Sequence, residues 1–296
     1  MSQEGANRRS GVTVSFALPA PALRPYITTY YLTEVAPDCA PYVEDYLHPE
    51  WGNVRVTDVP AIWGAVGAAP LQQLPPAVAA GPTSCATRFR APPGRYWGVG
   101  LLPLGWARFV AASASMRADQ LTSVAHDEAF AAFRPLTSGL FDGAGNRAAE
   151  ARAIDAVMLT LIERPGREEE RIAAIHAALV DPAIATVAEL AAQTDLPVRT
   201  LERIAKNVFG FPPKLLLRRQ RFLRSLAQFM LDPSLAWLET MDDHYHDQAQ
   251  FIRDFRRFMG MTPSAYAALP HPILGAAAHA RNAAVGAAVQ VLHAPR

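Results

Sequence analysis

Residues 247–266 read DQAQFIRDFRRFMGMTPSAY, and residues 197–216, fifty positions earlier, read PVRTLERIAKNVFGFPPKLL. The two stretches keep apolar, basic, glycine and proline residues in register. The first closes with Gly210 and Pro213, and the second closes with Gly260 and Pro263. Four residue classes that match at one fixed offset indicate two copies of a small helical unit.

Each copy predicts a helix with one basic and one apolar face, because its two basic residues lie three positions apart. The glycine suits the left-handed position after a helix, and the proline suits the first turn of the next one. Upstream of the first copy, Thr186-x-x-Glu189 is a capping box that opens a helix over 186–193. This helix, a turn over 194–196 and a helix over 197–209 form a helix-turn-helix.

Two further signals complete the region. Asp247, three residues before Gln250, is an N-cap for the second basic helix. The stretch PKLLLRRQRFLRSLAQFM between the copies has no glycine and no internal proline, so it predicts one long connecting helix.

Basic charge is concentrated in the same region. The whole chain carries 28 Lys+Arg and 27 Asp+Glu, a net charge of +1, which says nothing about a nucleic-acid partner. Residues 197–229 contain eight basic residues and one acid. Such a local excess is expected where a protein neutralises DNA phosphates. A solvated basic face is the alternative, and the repetition of glycine and proline in register argues against it.

Residues 186–266 resemble the DNA-binding domain of AraC/XylS-type transcription regulators. Residues 247–266 are close to the second signature of that family, and TLERIAKNVFGFPPKLLLRRQRF is similar to its first recognition helix and connector. The resemblance implies two helix-turn-helix units spaced by a central helix, with two recognition helices entering successive major-groove faces of double-stranded DNA.

By position, the resemblance implies base contacts from both recognition helices and backbone contacts beside them. The base-contacting residues would be Arg199, Glu202 and Arg203 in the first helix and Gln248, Ala249, Ile252 and Arg253 in the second. The backbone-contacting residues would be Lys206, Lys214, Arg218, Arg219 and Arg256. Arginine pairs with guanine, glutamine with adenine and glutamate with cytosine, whereas Ala249 and Ile252 offer only apolar contact. The second unit is therefore predicted to discriminate less strongly between DNA bases than the first.

The helix expected before the second recognition helix departs from the family pattern. Glu239-Thr240 and His244-Tyr245 stand where the family usually has Ile-Ala and Gly-Phe. A left-handed turn at His244 would be strained, because glycine tolerates a positive φ better. The acids Glu239, Asp242 and Asp243 are expected near the DNA side. A degenerate second unit, with DNA bound by the first alone, stays open.

The N-terminal half carries strand signals at 26–35, 53–58, 83–90 and 96–103, separated by proline and glycine clusters. Short strands with such punctuation predict a small antiparallel barrel or sandwich. Helical signals follow near 105–113, 127–134, 146–163 and 168–180. The runs HPEWGNVRV, GPTS and WGVGLLPLGWARFV resemble an uncharacterised sensor-like domain. If this domain holds an effector, the candidate pocket residues are Tyr30, Tyr46, His48, Trp51, Arg88, Arg90, Trp97 and Trp106, with packing in the core as the alternative for most of them.

Other function classes find little support. The chain has no GxSxG, HExxH, P-loop or strand-borne GxGxxG motif, so an enzyme is not expected and no cofactor is implied. His244-x-His246, the only close histidine pair, is interpreted as part of a solvated turn rather than a metal site. Cys39 and Cys85 form no CxxC motif. No apolar run reaches the length of a membrane span, and Arg8-Arg9 precedes only a short, proline-broken apolar stretch, so we expect a cytoplasmic protein.

The sequence thus predicts an α+β multidomain protein. We expect a flexible N-terminus over 1–20, a mostly-β effector or dimerisation domain over 21–125, a helical linker over 126–182, the all-α double helix-turn-helix domain over 183–268 and an Ala-rich tail over 269–296. The predicted function is sequence-specific DNA binding that regulates transcription, modulated by a small-molecule effector. Its partners would be DNA, a second copy of the chain and, for an activator, RNA polymerase. The alternative is a metal-binding or enzymatic β-barrel whose helical C-terminus is an interaction module.

Overall fold

The computed structural model describes residues 11–38, 40–142, 145–162, 166 and 168–295. Arg8, Arg9 and Cys39 lie outside the described residues.

Two antiparallel sheets form the N-terminal region. In the described residues they contain ten strands: β1 (Val12–Ala17), β2 (Ile27–Val35), β3 (Val43–Leu47), β4 (Asn53–Thr57), β5 (Ile62–Val66), β6 (Gln72–Leu74), β7 (Ala77–Ala80), β8 (Thr87–Ala91), β9 (Gly94–Leu101) and β10 (Leu121–Ser123). The six-stranded sheet has the order β1-β2-β9-β4-β7-β10, and the four-stranded sheet has the order β3-β8-β5-β6. The predicted mostly-β region is confirmed as a sandwich rather than a closed barrel.

The register of β2 against β9 decides which side chains face the interior of the sandwich. Tyr30 pairs with Val99, and Tyr31 pairs with Gly98. Successive side chains on a strand point to opposite faces, so Tyr30 and Tyr31 lie on opposite faces of the six-stranded sheet. A Cβ atom at Gly98 would lie 2.0 Å from Cζ of Tyr31. Glycine is therefore required there for the tyrosine ring to lie across β9.

Helices close the outer face of the six-stranded sheet. The first is α1 (Pro103–Phe109), followed by a 3₁₀ segment (Glu128–Thr137) and by α2 (Arg147–Leu159). Ile154 and Met158 of α2 belong to the same buried cluster as the outward-facing residues of β2 and β9, such as Tyr30 and Trp97. Arg95 holds α2 to the sheet through two bonds of 2.7 and 2.6 Å to the Glu150 carboxylate.

The helices that follow in the described part of the chain are α3 (Glu169–Val180), α4 (Val187–Gln193), α5 (Val198–Ile204), α6 (Pro213–Leu231), α7 (Gln248–Met259), α8 (Pro263–Ala267) and α9 (Leu274–Val285). A π-helical turn over Ala205–Phe209 extends α5. The apolar face of α3 packs in the same cluster as α4, α5 and α6. Residues 126–182, which the sequence predicts as one linker, are thus divided between two cores, with α2 in the first and α3 in the second.

The N-terminal end of the chain differs from the expectation, and the Ala-rich tail, which the sequence left undecided between a helix and a mobile segment, is helical in part. Val12–Ala17, placed by sequence in a flexible N-terminus, form edge strand β1 against β2. The Ala-rich tail contains α9, which folds back onto β1 and α6. Asp45 anchors the start of α9, because one carboxylate oxygen accepts bonds of 2.9 Å from the backbone nitrogens of Ile273 and Leu274. The tail is therefore part of the N-terminal sandwich as well as a neighbour of the helical domain.

Candidate DNA interface and effector pocket

The first helix-turn-helix unit forms as its local chemistry predicts. Thr186 and Glu189 make both bonds of the capping box at the start of α4. Asp195 adopts a positive φ of 50° in the turn, a backbone region that aspartate tolerates better than most residues. Leu190 and Leu201 are fully buried between α4 and α5. This packing leaves Arg199, Glu202, Arg203 and Lys206 exposed on the outer face of α5 and its extension.

One of these exposed residues is engaged by the chain itself. The Arg203 guanidinium donates bonds of 2.8 and 3.3 Å to the two carboxylate oxygens of Glu168, the residue that precedes α3. The pKa of Glu168 is lowered, first by this bond, and that of Arg203 is raised by it. Arg203 must therefore leave Glu168, at least in part, before it can bond to a base edge.

The second recognition helix, α7, is amphipathic. Its apolar face buries Phe251, Phe255 and Phe258, and the Asp247 side chain caps its first turn by accepting a bond of 2.6 Å from the nitrogen of Gln250. Gly260 ends the helix at a φ of 74°, as Gly210 ends the first copy at 86°. On the other face, Gln248, Ala249, Arg253 and Arg256 are exposed and Ile252 is half-buried.

The segment between α6 and α7 differs from the sequence expectation. Residues 232–247 form turns, and no regular helix precedes α7 within them. Trp237 packs against α7 instead. Its ring stacks on Phe229, with 4.0 Å between ring centroids, and contacts Phe255 of α7 edge-on at 5.0 Å. An aromatic cluster thus fixes α7 from behind where a helix-turn-helix would use a helix.

The predicted acidic surface and strained turn are wrong in part. The Asp242 carboxylate is bonded to Arg224 and its backbone nitrogen to the Ser225 hydroxyl, so Asp242 faces the connecting helix α6. Its pKa is lowered, although burial opposes the effect, because Arg224 and the His244 backbone favour the carboxylate. His244 is not among the described residues with a positive φ. Asp243 alone of the three acids carries no internal bond in the described residues and is exposed.

The connecting helix α6 carries less free charge than its sequence suggests. It borders a cleft of about 520 Å³ lined by Lys214, Arg218, Arg221, Arg224 and Arg253. The buried Asp254 carboxylate accepts from both Arg218 and Arg221, at 2.5 and 3.1 Å. Asp254 and Asp242 thus pair with three of the arginines of α6. Among the described residues, Lys214 is the only exposed basic side chain of this helix with no ion pair.

The prediction that Arg219 contacts the DNA backbone is wrong. Its side chain is fully buried where α6 meets the sandwich, and it donates to the carbonyl oxygens of Thr83 and Glu50 at 2.9 and 3.4 Å. The guanidinium carbon lies 4.1 Å from the centre of the Trp51 ring. Burial lowers the pKa of Arg219 to about 9. Arg219 is a structural contact between the two domains.

A second bond crosses the same boundary. His48, at the end of β3, shares a bond of 2.7 Å between its Nε2 and the hydroxyl of Tyr266 on α8. Burial lowers the pKa of His48 to about 3, so the imidazole is neutral at physiological pH. The α7 end is also tied to the sandwich, since the Phe258 carbonyl accepts a bond of 2.7 Å from the nitrogen of Ala86. The helical domain is therefore docked on the sandwich through buried contacts.

A cavity of about 170 Å³ lies between the two sheets, and α9 lines one side of it. Apolar side chains dominate its wall, among them Phe16, Leu47, Ile62, Trp63, Phe89 and Leu121. Its polar members are Tyr31, Thr33, His48, Glu50, Asn53, Arg55, Thr87, Arg281 and Gln290. Glu50 and Arg55 form an ion pair of 2.5 Å. Such an apolar chamber with a few convergent polar groups is the usual form of a small-molecule site.

Of the candidate pocket residues, only His48 lines this cavity. Five of the others lie on strands, one position from a residue that does: Tyr30 beside Tyr31, Tyr46 beside Leu47, Arg88 and Arg90 on either side of Phe89, and Trp97 beside Tyr96. A shift of one residue moves a side chain to the other face of its sheet. Tyr30 and Trp97 accordingly pack under the outer helices, and their polar atoms bond Asp155 and Glu150.

The remaining aromatic candidates are also structural. Trp51 is buried at the domain boundary against His176 and Phe209. Trp106 packs in the outer core against Phe130, and Arg90 bonds to Glu44 on the surface. Sequence reasoning missed Arg281 altogether, because an arginine in an Ala-rich tail carries no signal of a pocket. The alternation along β2 and β9 would have selected Tyr31 and Tyr96 had the inner face been known.

The molecule is thus a β-sandwich with an internal cavity joined to a helical domain with two exposed recognition helices. Residues 190–268 match the family model described as a helix-turn-helix domain, and this part of the chain is a helix-turn-helix domain of the AraC type. Domains of this type bind DNA in transcription regulators.

A comparison with curated proteins found no match. Among solved structures, ToxT from Vibrio cholerae in its P21 form is similar with a TM-score of 0.43 and 8% identity, covering 77% of this chain and 98% of ToxT. The AraC-like transcriptional activator CuxR is similar with a TM-score of 0.31 and 13% identity, covering 75% of this chain and 89% of CuxR. None of the helices in the described residues is both long and apolar enough to span a membrane.

Proposed function

We propose that the protein is a transcriptional regulator that binds specific DNA sequences through α5 and α7. The observation that supports this most is the pair of exposed polar faces on two helices that share one rigid connector. Arg199 and Arg203 on α5 and Gln248 and Arg253 on α7 have the groups that recognise base edges in the major groove.

The two helices contribute unequally in this proposal. The first unit offers two arginines and Glu202 to bases, with Lys206 and Lys214 free for phosphates. The second unit offers Gln248 and Arg253 beside two apolar residues. Its support is an aromatic cluster in a turn segment rather than a helix. We therefore expect most of the base discrimination to come from α5.

The proposal is tested by selecting bound sequences from a random double-stranded DNA pool. Arg203→Ala should relax specificity at one half of the selected site, and Arg253→Ala should relax the other half to a smaller extent. Each lost bidentate contact corresponds to about 1–3 kcal/mol of discrimination. Arg257→Ala is the control, because Arg257 is an exposed arginine of α7 that is not among the predicted base-contacting or backbone-contacting residues. Failure of the wild-type protein to enrich any sequence at low and at physiological salt would refute the proposal.

We also propose that a small molecule in the sandwich cavity modulates DNA binding. Two cavity residues reach the helical domain: His48 bonds to Tyr266 on α8, and the Glu50 carbonyl accepts from Arg219 on α6. An effector shifts an equilibrium only by its difference in affinity for two states. A ligand that displaces His48 or Glu50 would have that difference, because the same residues hold the DNA-binding domain in place.

The coupling is tested with His48→Phe, which removes the bond to Tyr266 and keeps a ring of similar size at the cavity wall. A ligand that changes the Kd for DNA of the wild-type protein should do so much less in this variant. An unchanged ligand effect in His48→Phe would show that the coupling does not run through this contact.

A further inference from the structure

Arg281 on α9 places a charged group in the wall of the sandwich cavity. Its guanidinium is buried, and Arg281 is only 6% exposed. The Nη1 atom donates a bond of 3.0 Å to the hydroxyl of Thr29, while Nε and Nη2 have no hydrogen-bond partner in the described part of the chain. These two nitrogens form one edge of the planar guanidinium. This edge is the one that binds a carboxylate through two parallel hydrogen bonds.

Among the described residues, no side chain around the cavity neutralises this guanidinium by direct contact. The Glu50 carboxylate is occupied by Arg55, and the pKa of Tyr31 is raised to about 12 by burial, so the phenol is neutral. His48 is neutral as well, since burial lowers its pKa to about 3. Burial lowers the pKa of Arg281 to about 10, which still leaves the group protonated at pH 7. The polar wall of the cavity therefore keeps one positive charge without an anion.

An unpaired buried charge with two unbonded N–H groups is costly. The cost is removed if an anion binds at the free edge. The rest of the wall is apolar and has no second cation without a partner, so it favours a hydrocarbon body and disfavours a second charge. The volume of about 170 Å³ is close to that of a cavity of about 150 Å³ that accommodates benzene. The ligand body should thus be about as large as one aromatic ring with a short side chain.

We propose that the sandwich cavity binds a small apolar monocarboxylate, of the size of an aryl or short-chain aliphatic acid, whose carboxylate pairs with Nε and Nη2 of Arg281. The proposal rests on the effector site proposed above and names its ligand class. This ligand would also involve the Ala-rich tail, because α9 lines the cavity and packs on the connecting helix α6. The carboxylate would hold α9 to the sandwich at the Thr29 end.

The test is isothermal titration calorimetry of the full chain with matched probes. Phenylacetate and hexanoate are the acids, benzyl alcohol and hexanol are the neutral counterparts, and hexanedioate carries a second charge. We expect each monocarboxylate to bind at least tenfold more tightly than its alcohol and than hexanedioate. Equal affinity of acids and alcohols, or no binding of either acid, would overturn the proposal.

Arg281→Met tests the residue itself, since methionine fills similar space without a charge. The variant should lose at least tenfold in affinity for phenylacetate and keep its affinity for benzyl alcohol, whereas Arg281→Lys should lie between it and the wild type. Thermal unfolding without ligand checks the fold, and Arg281→Met should be as stable as the wild type because it removes two unbonded N–H groups. Phenylacetate that binds Arg281→Met as tightly as the wild type overturns the assignment of the residue.

The two proposals fail separately. If the acids bind in an Arg281-dependent way and DNA affinity does not change, the ligand class stands and the effector function is wrong. If DNA affinity responds to a neutral apolar compound and not to acids, the effector function stands and the ligand class is wrong.

Discussion

Glu168→Gln should increase the affinity of the protein for DNA. In the structure, Glu168 occupies the guanidinium of Arg203, the central predicted base-reading residue of α5, through bonds of 2.8 and 3.3 Å. DNA binding must break this pair, so the energy of the pair is subtracted from the energy of binding. Removing the carboxylate charge removes most of that competition and also removes a negative charge beside the expected phosphates.

The magnitude follows from the exposure of the pair. The side chains of Arg203 and Glu168 are 51% and 33% exposed, and ion pairs this exposed contribute about 0.2–1 kcal/mol. Release of that energy corresponds to an increase in DNA affinity of about 1.4-fold to about fivefold. The gain should be larger for the selected site than for scrambled DNA, because Arg203 is expected to contact a base.

The assay is fluorescence anisotropy with labelled DNA carrying the selected site, at two salt concentrations. Glu170→Gln is the matched control, because it removes the same charge from an exposed position two residues away. We expect Glu170→Gln to have the smaller effect, and we expect Glu168→Gln to have no more effect than Glu170→Gln once Arg203 is replaced by alanine. If both variants change the affinity equally in the wild-type background, the proposed competition for Arg203 is refuted.

Three further predictions concern the cores and the repeat. Arg219→Ala should lower the free energy of unfolding by about 2 kcal/mol or more, since it leaves the Thr83 carbonyl without its arginine donor and Trp51 uncovered. It should leave the salt dependence of DNA binding unchanged, whereas Lys214→Ala should reduce that salt slope by about 1. Burial lowers the pKa of His176 to about 3, so between pH 3 and 6.5 the unfolded chain binds more protons and stability falls as the pH is lowered. In His176→Leu, the free energy of unfolding measured by chemical denaturation should therefore change less with pH, by about 1 kcal/mol per pH unit in that window. An unchanged slope of free energy against pH would contradict a neutral buried imidazole. Gly260→Ala should cost about 1–2 kcal/mol from backbone strain alone, because φ is 74° and nothing lies within 4 Å of an added Cβ; a variant as stable as the wild type would show that the helix end relaxes.

Much of the helical domain could be predicted because its signals are local. A capping box, a left-handed glycine and a proline in the first turn act within one or two helical turns, so Thr186, Gly210 and Pro213 mark their boundaries in any context that allows a helix. The failure over residues 232–247 has the same origin. The stacking of Trp237 on Phe229, which supports α7 in place of a helix, could not be predicted from local sequence patterns.

The sequence could predict which domain contains the pocket, but not which side chains line it. Strand signals located β2, β4, β8 and β9, yet the face of each strand that meets the cavity depends on pairing with strands distant in the chain. An error of one residue along β2, β3, β8 and β9 therefore replaced the lining residues with their neighbours, which point to the opposite faces of the sheets.

The sequence by itself determined the two recognition helices, their boundaries and the basic residues on their exposed faces, since these depend on periodicity and caps within a few turns. Tertiary structure alone decided the roles of three arginines that look alike in the sequence. Arg203 is held by Glu168 from the preceding segment, Arg219 is buried against the sandwich, and Arg281 enters the cavity between the sheets. The physical reason is that the environment of a charge is set by whatever chain segments surround it, and here those segments lie 35, 136 and 252 residues away along the chain.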